Sequence, residues 1–122
     1  MNAADYLGRY AEGWTNGDAD IILQAVTDDY EFDDPNAGKI SKAEFSEYLS
    51  GLKAGVKDLC GGRLPEPFMQ LSEVVTSEHD GNIKAWCWWE IPGTDIKGSG
   101  LIRVSPTGVY AEVITYYTKI GS

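Results

Sequence analysis

Beyond Pro67 the chain reads as strand, cut at even intervals by turn signals, and this run limits what the chain can become. His79-Asp80-Gly81-Asn82 places Asp-Gly at the centre of a hairpin turn, and Pro92-Gly93 and Ser105-Pro106-Thr107-Gly108 mark the next two breaks. The strands so bounded are 69–77, 83–91, 96–104 and 109–119. Hairpin-linked strands form an antiparallel meander.

Helical signals all lie upstream. Asn2 is a plausible N-cap with Asp5 in the first turn, and Tyr6, Leu7, Tyr10 and Trp14 repeat on one face of a helix over 3–15, stopped by Asn16-Gly17. Asp18 caps a short second helix with Ile22, Ala25 and Val26 on its buried edge. Ser41-Lys42-Ala43-Glu44 is a capping box, and Phe45, Tyr48, Leu49, Leu52 and Val56 line one face of a third helix. A Gly/Pro-rich loop follows over 60–67. Helices first and strands after is the α+β pattern, with the helices on one face of a curved, mostly antiparallel sheet. At 122 residues, without repeat or linker, the chain is expected to form one domain over 1–122.

The net charge of −9 argues against nucleic acid and anionic membranes as partners, since both demand a basic surface. No apolar run has the length of a membrane span, and the first residues lack the basic start and apolar stretch of a signal peptide. Cys60 and Cys87 match no metal or redox spacing; two reduced thiols fit a cytoplasmic protein. His79, the single histidine, sits in a hairpin turn. No metal site and no organic cofactor are expected.

The segment Tyr30-Glu31-Phe32-Asp33-Asp34-Pro35 carries the clearest chemical signal. It alternates, and alternation puts Asp34 on the face of Tyr30 and Phe32, toward the core. Pro35, without an N–H, ends the strand there. An inward carboxylate is costly unless it is paired or used. It reads either as a general base in an apolar pocket or as a strand terminator bonded to its own backbone. Asp28, Asp29, Glu31 and Asp33 read as a solvated face.

Trp86, Trp88 and Trp89 share one strand. Lys84 lies on the face of Trp86 and Trp88, so Trp89 is expected inside. Gly98 and Gly100 leave room on their strand for a ligand or for Trp89, or mark a bend. The long strands are apolar on both faces, so the outer face of the sheet is expected to meet a second copy of the chain.

The order Arg9-Tyr10, Asn16-Gly17-Asp18-Ala19-Asp20, Asp28-Asp29-Tyr30 through Asp34-Pro35, a capped helix, then four strands ending in Thr115-Tyr116-Tyr117 resembles the nuclear-transport-factor-two-like superfamily. The nearest resemblance is to its SnoaL-like polyketide cyclases and to ketosteroid isomerase. It covers nearly the whole chain through short motifs whose order and spacing carry it. It implies a cone-shaped α+β barrel around a deep apolar pocket, commonly homodimeric. Members include isomerases, cyclases, dehydratases, epoxide hydrolases, ligand-binding proteins and scaffolds, so fold alone does not fix function.

By that resemblance Asp34 matches the isomerase's general base and Tyr10 its oxyanion-hole tyrosine. The third member of that site is a protonated acid. Its matching position here is Gly100, which has no side chain. The Asp-Arg-Asp set of the epoxide-hydrolase branch is not apparent. Extending the family's strand parity turns Val113, Thr115 and Tyr117 inward. The resulting expectation is a pocket walled by Trp14, Phe32, Trp89, Gly100, Val113, Thr115 and Tyr117. In it Asp34 abstracts a proton next to a carbonyl of a small apolar ligand, and Tyr10 hydrogen-bonds the enolate. The alternative is a non-catalytic module of the same shape that binds a small ligand or serves as a dimeric scaffold.

Overall fold

The structure is a computed structural model and describes residues 1–117. Three helices precede most of the strands: α1 (Ala3–Asn16), α2 (Ala19–Gln24) and α3 (Phe45–Leu59). Six strands, β1 (Val26–Asp34), β2 (Gly38–Ser41), β3 (Gln70–His79), β4 (Asn82–Glu90), β5 (Lys97–Ser105) and β6 (Gly108–Tyr116), form one sheet in the order β2-β1-β6-β5-β4-β3. All neighbours are antiparallel except β1 and β6, which run parallel. This is the expected α+β arrangement, helices packed on a curved, mostly antiparallel sheet. The last strand was expected to reach residue 119; residues 118 and 119 lie outside the described residues.

Local chemistry sets the helix ends. Asn2 and Asp5 form a reciprocal capping box at α1, and Gly17 closes the helix in the left-handed conformation at φ 64°. Asp18 accepts the N–H groups of Asp20 and Ile21 at the start of α2. The Ser41/Glu44 box opens a 3-10 turn, Lys42–Glu44, and α3 begins only after it. No helix among the described residues is long and apolar enough to cross a membrane.

Besides the end of α2, which stops at Gln24 so that Val26, expected on its buried edge, opens β1, two features depart from the sequence reading. Strand β2 was not expected. It is four mostly exposed residues folded back on β1 through a turn at 35–37, too short and too polar to announce itself. The second is parity in β6. Arg103 pairs with Ala111 but Val104 pairs with Val109, so Tyr110 is an extra residue, a β-bulge. Val109 is buried, and simple alternation from it would turn Ala111, Val113, Thr115 and Tyr117 inward. The bulge resets the phase, and Glu112, Ile114 and Tyr116 face the helices instead. Val113 (44% exposed), Thr115 and Tyr117 (53% exposed) lie on the outer face. The expectation that these three line the pocket is corrected accordingly.

The core lies between the inner sheet face and the helices. Tyr10 and Trp14 of α1, Tyr30 and Phe32 of β1, and Phe45 and Tyr48 of α3 pack edge to face or tilted, with ring centroids 5.4 to 6.4 Å apart. In β4, Ala85, Cys87 and Trp89 point inward, and Trp86 and Trp88 lie together on the outer face.

Candidate functional site

Two acids are buried among the described residues, Asp34 (3% exposed) and Glu112 (5% exposed). Both arrive by strand alternation. Tyr30, Phe32 and Asp34 form the inner row of β1. Glu112 owes its inward turn to the bulge before it.

Asp34 is enclosed by donors. Its Oδ1 accepts the Asn36 backbone N–H at 2.8 Å. Its Oδ2 accepts two phenol hydroxyls, from Tyr48 of α3 at 2.6 Å and from Tyr116 of β6 at 2.9 Å. One carboxylate therefore ties three elements together. It satisfies both readings of the sequence in part: it is an inward acid, and it bonds the backbone just beyond Pro35.

Glu112 has one donor. Tyr10 donates to Oε1 at 2.5 Å, and the Tyr10 and Tyr30 oxygens stand 2.7 Å apart. Because the single Tyr10 proton goes to Glu112, the Tyr30 hydroxyl donates to Tyr10, giving a relay Tyr30 to Tyr10 to Glu112. No hydrogen bond reaches Oε2 among the described residues. Oε2 lies over Gly100, where a Cβ would collide with it. Gly100 and Glu112 are diagonal neighbours, since Gly100 pairs with Ile114 and Ile102 with Glu112. The Glu112 carboxyl thus fills the space over Gly100 from the adjacent strand.

These groups border a cavity of about 40 Å³. Tyr10, Trp14, Phe32, Tyr48, Trp89 and Tyr116 supply its aromatic wall, with Leu52, Met69, Ile91, Ile102 and Ile114 between them. Glu112 is the charged residue in that wall; Asp34 is not part of it. Of the residues expected at the site, Tyr10, Trp14, Phe32 and Trp89 line the cavity, and Gly100 lies under the Glu112 carboxyl. A Cβ on Gly98 would collide with the Thr115 backbone carbonyl and stand 2.9 Å from the Trp89 ring, whose Nε1 donates to the Ser99 carbonyl. Tyr10 and Asp34 do not meet: the Tyr10 hydroxyl is engaged by Glu112 and Tyr30, and Asp34 by Tyr48 and Tyr116. Thr115 bonds Ser99 and Tyr117 lies under the Lys97 ammonium, both away from the cavity.

No protein-family model matches the sequence, and no curated protein matches it. Solved structures do. An NTF2-like protein of Cytophaga hutchinsonii is 17% identical with a TM-score of 0.60, over 93% of this chain and 94% of that one. A proposed polyketide cyclase of Xanthomonas campestris is 18% identical with a TM-score of 0.60, over 97% and 90%. A proposed ketosteroid isomerase of Kribbella flavida is 9% identical with a TM-score of 0.60, over 97% and 79%. The chain has the nuclear-transport-factor-two-like fold.

Within this NTF2-like fold, burial sets the proton affinities. Lost hydration pushes the Glu112 carboxyl up to about 7, opposed by the hydrogen bond from Tyr10. Burial, then the Glu112 charge, raise Tyr10 and Tyr30 well above the ordinary phenol value. Burial, then the bond to Asp34, raise Tyr48, and push Tyr116 up to about 12. Burial pushes the Cys87 thiol up to about 11, which keeps it protonated and unreactive. All four phenols are therefore donors near neutrality, and Glu112 is the group that can take or give a proton there. Among the described residues no cluster of His, Cys, Asp and Glu could hold a metal ion.

Sequence reasoning passed over Glu112, Tyr48 and Tyr116. One signal was present: Glu112 is the single charge in the otherwise apolar and hydroxyl-bearing β6. Its direction depended on the bulge.

Proposed function

We propose that this NTF2-like chain binds a small apolar carbonyl compound and moves a proton on the carbon next to the carbonyl, as an isomerase or an aldol-type cyclase would. The observation that carries this reading is the Glu112 carboxyl, facing an apolar cavity with one oxygen free and a proton affinity near neutral. Glu112 takes the proton from the Cα–H bond, and that electron pair passes to the carbonyl oxygen as an enolate. Return of the proton to another carbon gives an isomer; attack of the enolate carbon on a second carbonyl gives a new C–C bond. A base matched to the working pH maximises such transfer.

The sequence reading gave the base role to Asp34. Its carboxylate already accepts three donors and stands outside the cavity wall, so in this proposal Asp34 holds Tyr48 and Tyr116 in place and Glu112 is the base. Tyr10 holds Glu112 while the carboxylate is charged. Once Glu112 carries the proton, the Tyr10 hydroxyl can serve the enolate, the role the resemblance gave it. The cavity as it stands, about 40 Å³, is smaller than the roughly 150 Å³ that admits benzene, so a ring enters only if the wall gives way. Trp89 and Tyr116 pack edge to face at 5.5 Å in that wall.

The test is base-catalysed exchange. Acetophenone is incubated with protein in deuterated buffer and loss of its methyl proton signal is followed by NMR. Exchange that rises with pH, levels above about 7 and vanishes in Glu112→Gln supports the reading. Exchange no faster than buffer, with ligand bound, leaves the non-catalytic binding module. The outer sheet face, with Val75, Trp88, Val113 and Tyr117 exposed, fits a second copy of the chain, and sedimentation velocity reads that state.

A further inference from the structure

We infer that Trp14 is the cavity's hydrogen-bond donor to a ligand oxygen, so that the site selects aryl ketones over hydrocarbons of the same shape. The inference rests on the binding reading above and adds the group that recognises the oxygen.

The Trp14 Nε1 is the buried side-chain nitrogen or oxygen without a hydrogen-bond partner among the described residues. The other N–H and phenol donors in the same wall are engaged. Tyr10 donates to Glu112, Trp89 to the Ser99 carbonyl, and Tyr48 and Tyr116 to Asp34. What surrounds the Trp14 indole is rings: Phe32 at 5.5 Å, Phe45 at 5.6 Å and Tyr10 at 6.4 Å between centroids. The Tyr10 oxygen, the one acceptor those rings carry, is already shared between Glu112 and Tyr30.

A buried donor left unpaired is costly, and a ligand that accepts from it recovers that cost. Trp14 lines the cavity and is only 5% exposed, and its Nε1 is fully buried, so a ligand reaches the N–H only by parting the rings. A ligand that parts the rings and brings a carbonyl oxygen recovers the lost bond; a hydrocarbon leaves the donor orphaned. Sites built around a buried donor reject the analogue that cannot accept from it. Trp14 and Glu112 would then act on one ligand, the indole on its oxygen and the carboxylate on its acidic C–H.

Acetophenone and ethylbenzene, near-isosteres that differ by the oxygen, are the probes. Binding is measured by calorimetry to the whole chain and to Glu112→Gln, which separates recognition from turnover. The expected result is a preference of about tenfold for acetophenone in both proteins, lost in Trp14→Phe, which keeps an aromatic wall without the N–H. The indole ¹H–¹⁵N signal of Trp14 in the unmutated chain gives a second readout that needs no variant. It should move downfield with acetophenone and stay in place with ethylbenzene. Equal affinity for the two probes, a preference that survives in Trp14→Phe, or an indole signal blind to the oxygen overturns the inference and leaves the proton-transfer reading standing. Failure of both probes to bind overturns the two together, and loss of exchange with the preference intact overturns only the proton transfer.

Discussion

Asp34 and Glu112 are both carboxylates turned inward from a strand, and they live in opposite circumstances. Asp34 sits at the end of β1 with three donors around it and ties a turn, a helix and a neighbouring strand into one joint. Glu112 sits in the middle of β6 with one phenol on one oxygen and an apolar cavity before the other. Both are buried and they differ in their partners. The Asp34 lone pairs are taken up in a structural joint, while burial among rings with a single donor raises Glu112 to about 7, where it can exchange its proton.

The sharpest way to break this contrast is to exchange the roles. Glu112→Gln should lower ketone proton exchange by 10² to 10⁴, about 3–5 kcal/mol, the usual contribution of a positioned base. If Asp34→Asn does the same damage and Glu112→Gln does not, the assignment is reversed.

Stability against pH reads the same contrast without a ligand. Folding raises the Glu112 value from 4.5 to about 7. Between those pH values the folded chain holds a proton that the unfolded chain has released. Stability from this group therefore falls as pH climbs from about 4.5 to about 7, by on the order of 3 kcal/mol, and is level beyond. Urea unfolding at pH 5 and pH 8 should show the fall in the unmutated chain and a smaller one in Glu112→Gln.

Asp34→Asn should cost about 2 kcal/mol in urea unfolding, because an amide cannot accept from all three donors and one is left buried and unpaired. Its effect on exchange should stay within about tenfold, since the base itself is untouched. Smallest is Tyr116→Phe, which removes one hydroxyl from Asp34 while Tyr48 and Asn36 remain. It should cost about 1 kcal/mol. An equal loss in the Asp34→Asn/Tyr116→Phe double variant and in Asp34→Asn alone would show that the two act as one unit.

Much of this was legible in the residues. The turn signals, the capping boxes at Asn2 and Ser41, and the apolar stripes of α1 and α3 announced helices followed by a meander. The alternation of Tyr30, Phe32 and Asp34 announced an inward acid, and Lys84 correctly sent Trp86 outward and Trp89 inward. Such signals are local: each depends on a periodicity of two or 3.6 residues that the sequence displays directly. Residue 112 was different. Its direction is set by one extra residue, Tyr110, that opposes nothing on β5, and no composition rule marks where a strand will bulge. A one-residue slip exchanges the two faces of everything after it. That slip carried Val113, Thr115 and Tyr117 out and brought Glu112, Ile114 and Tyr116 in.

The sequence by itself determined the elements other than β2, their order and the burial of Asp34, because secondary structure and strand alternation are properties of neighbours along the chain. Only the tertiary structure decided which acid faces the cavity, that Tyr10 serves Glu112, that Tyr48 and Tyr116 converge on Asp34, and that Trp14 is left without a partner. Each of those is a meeting of groups far apart in the chain, fixed by strand register and helix packing.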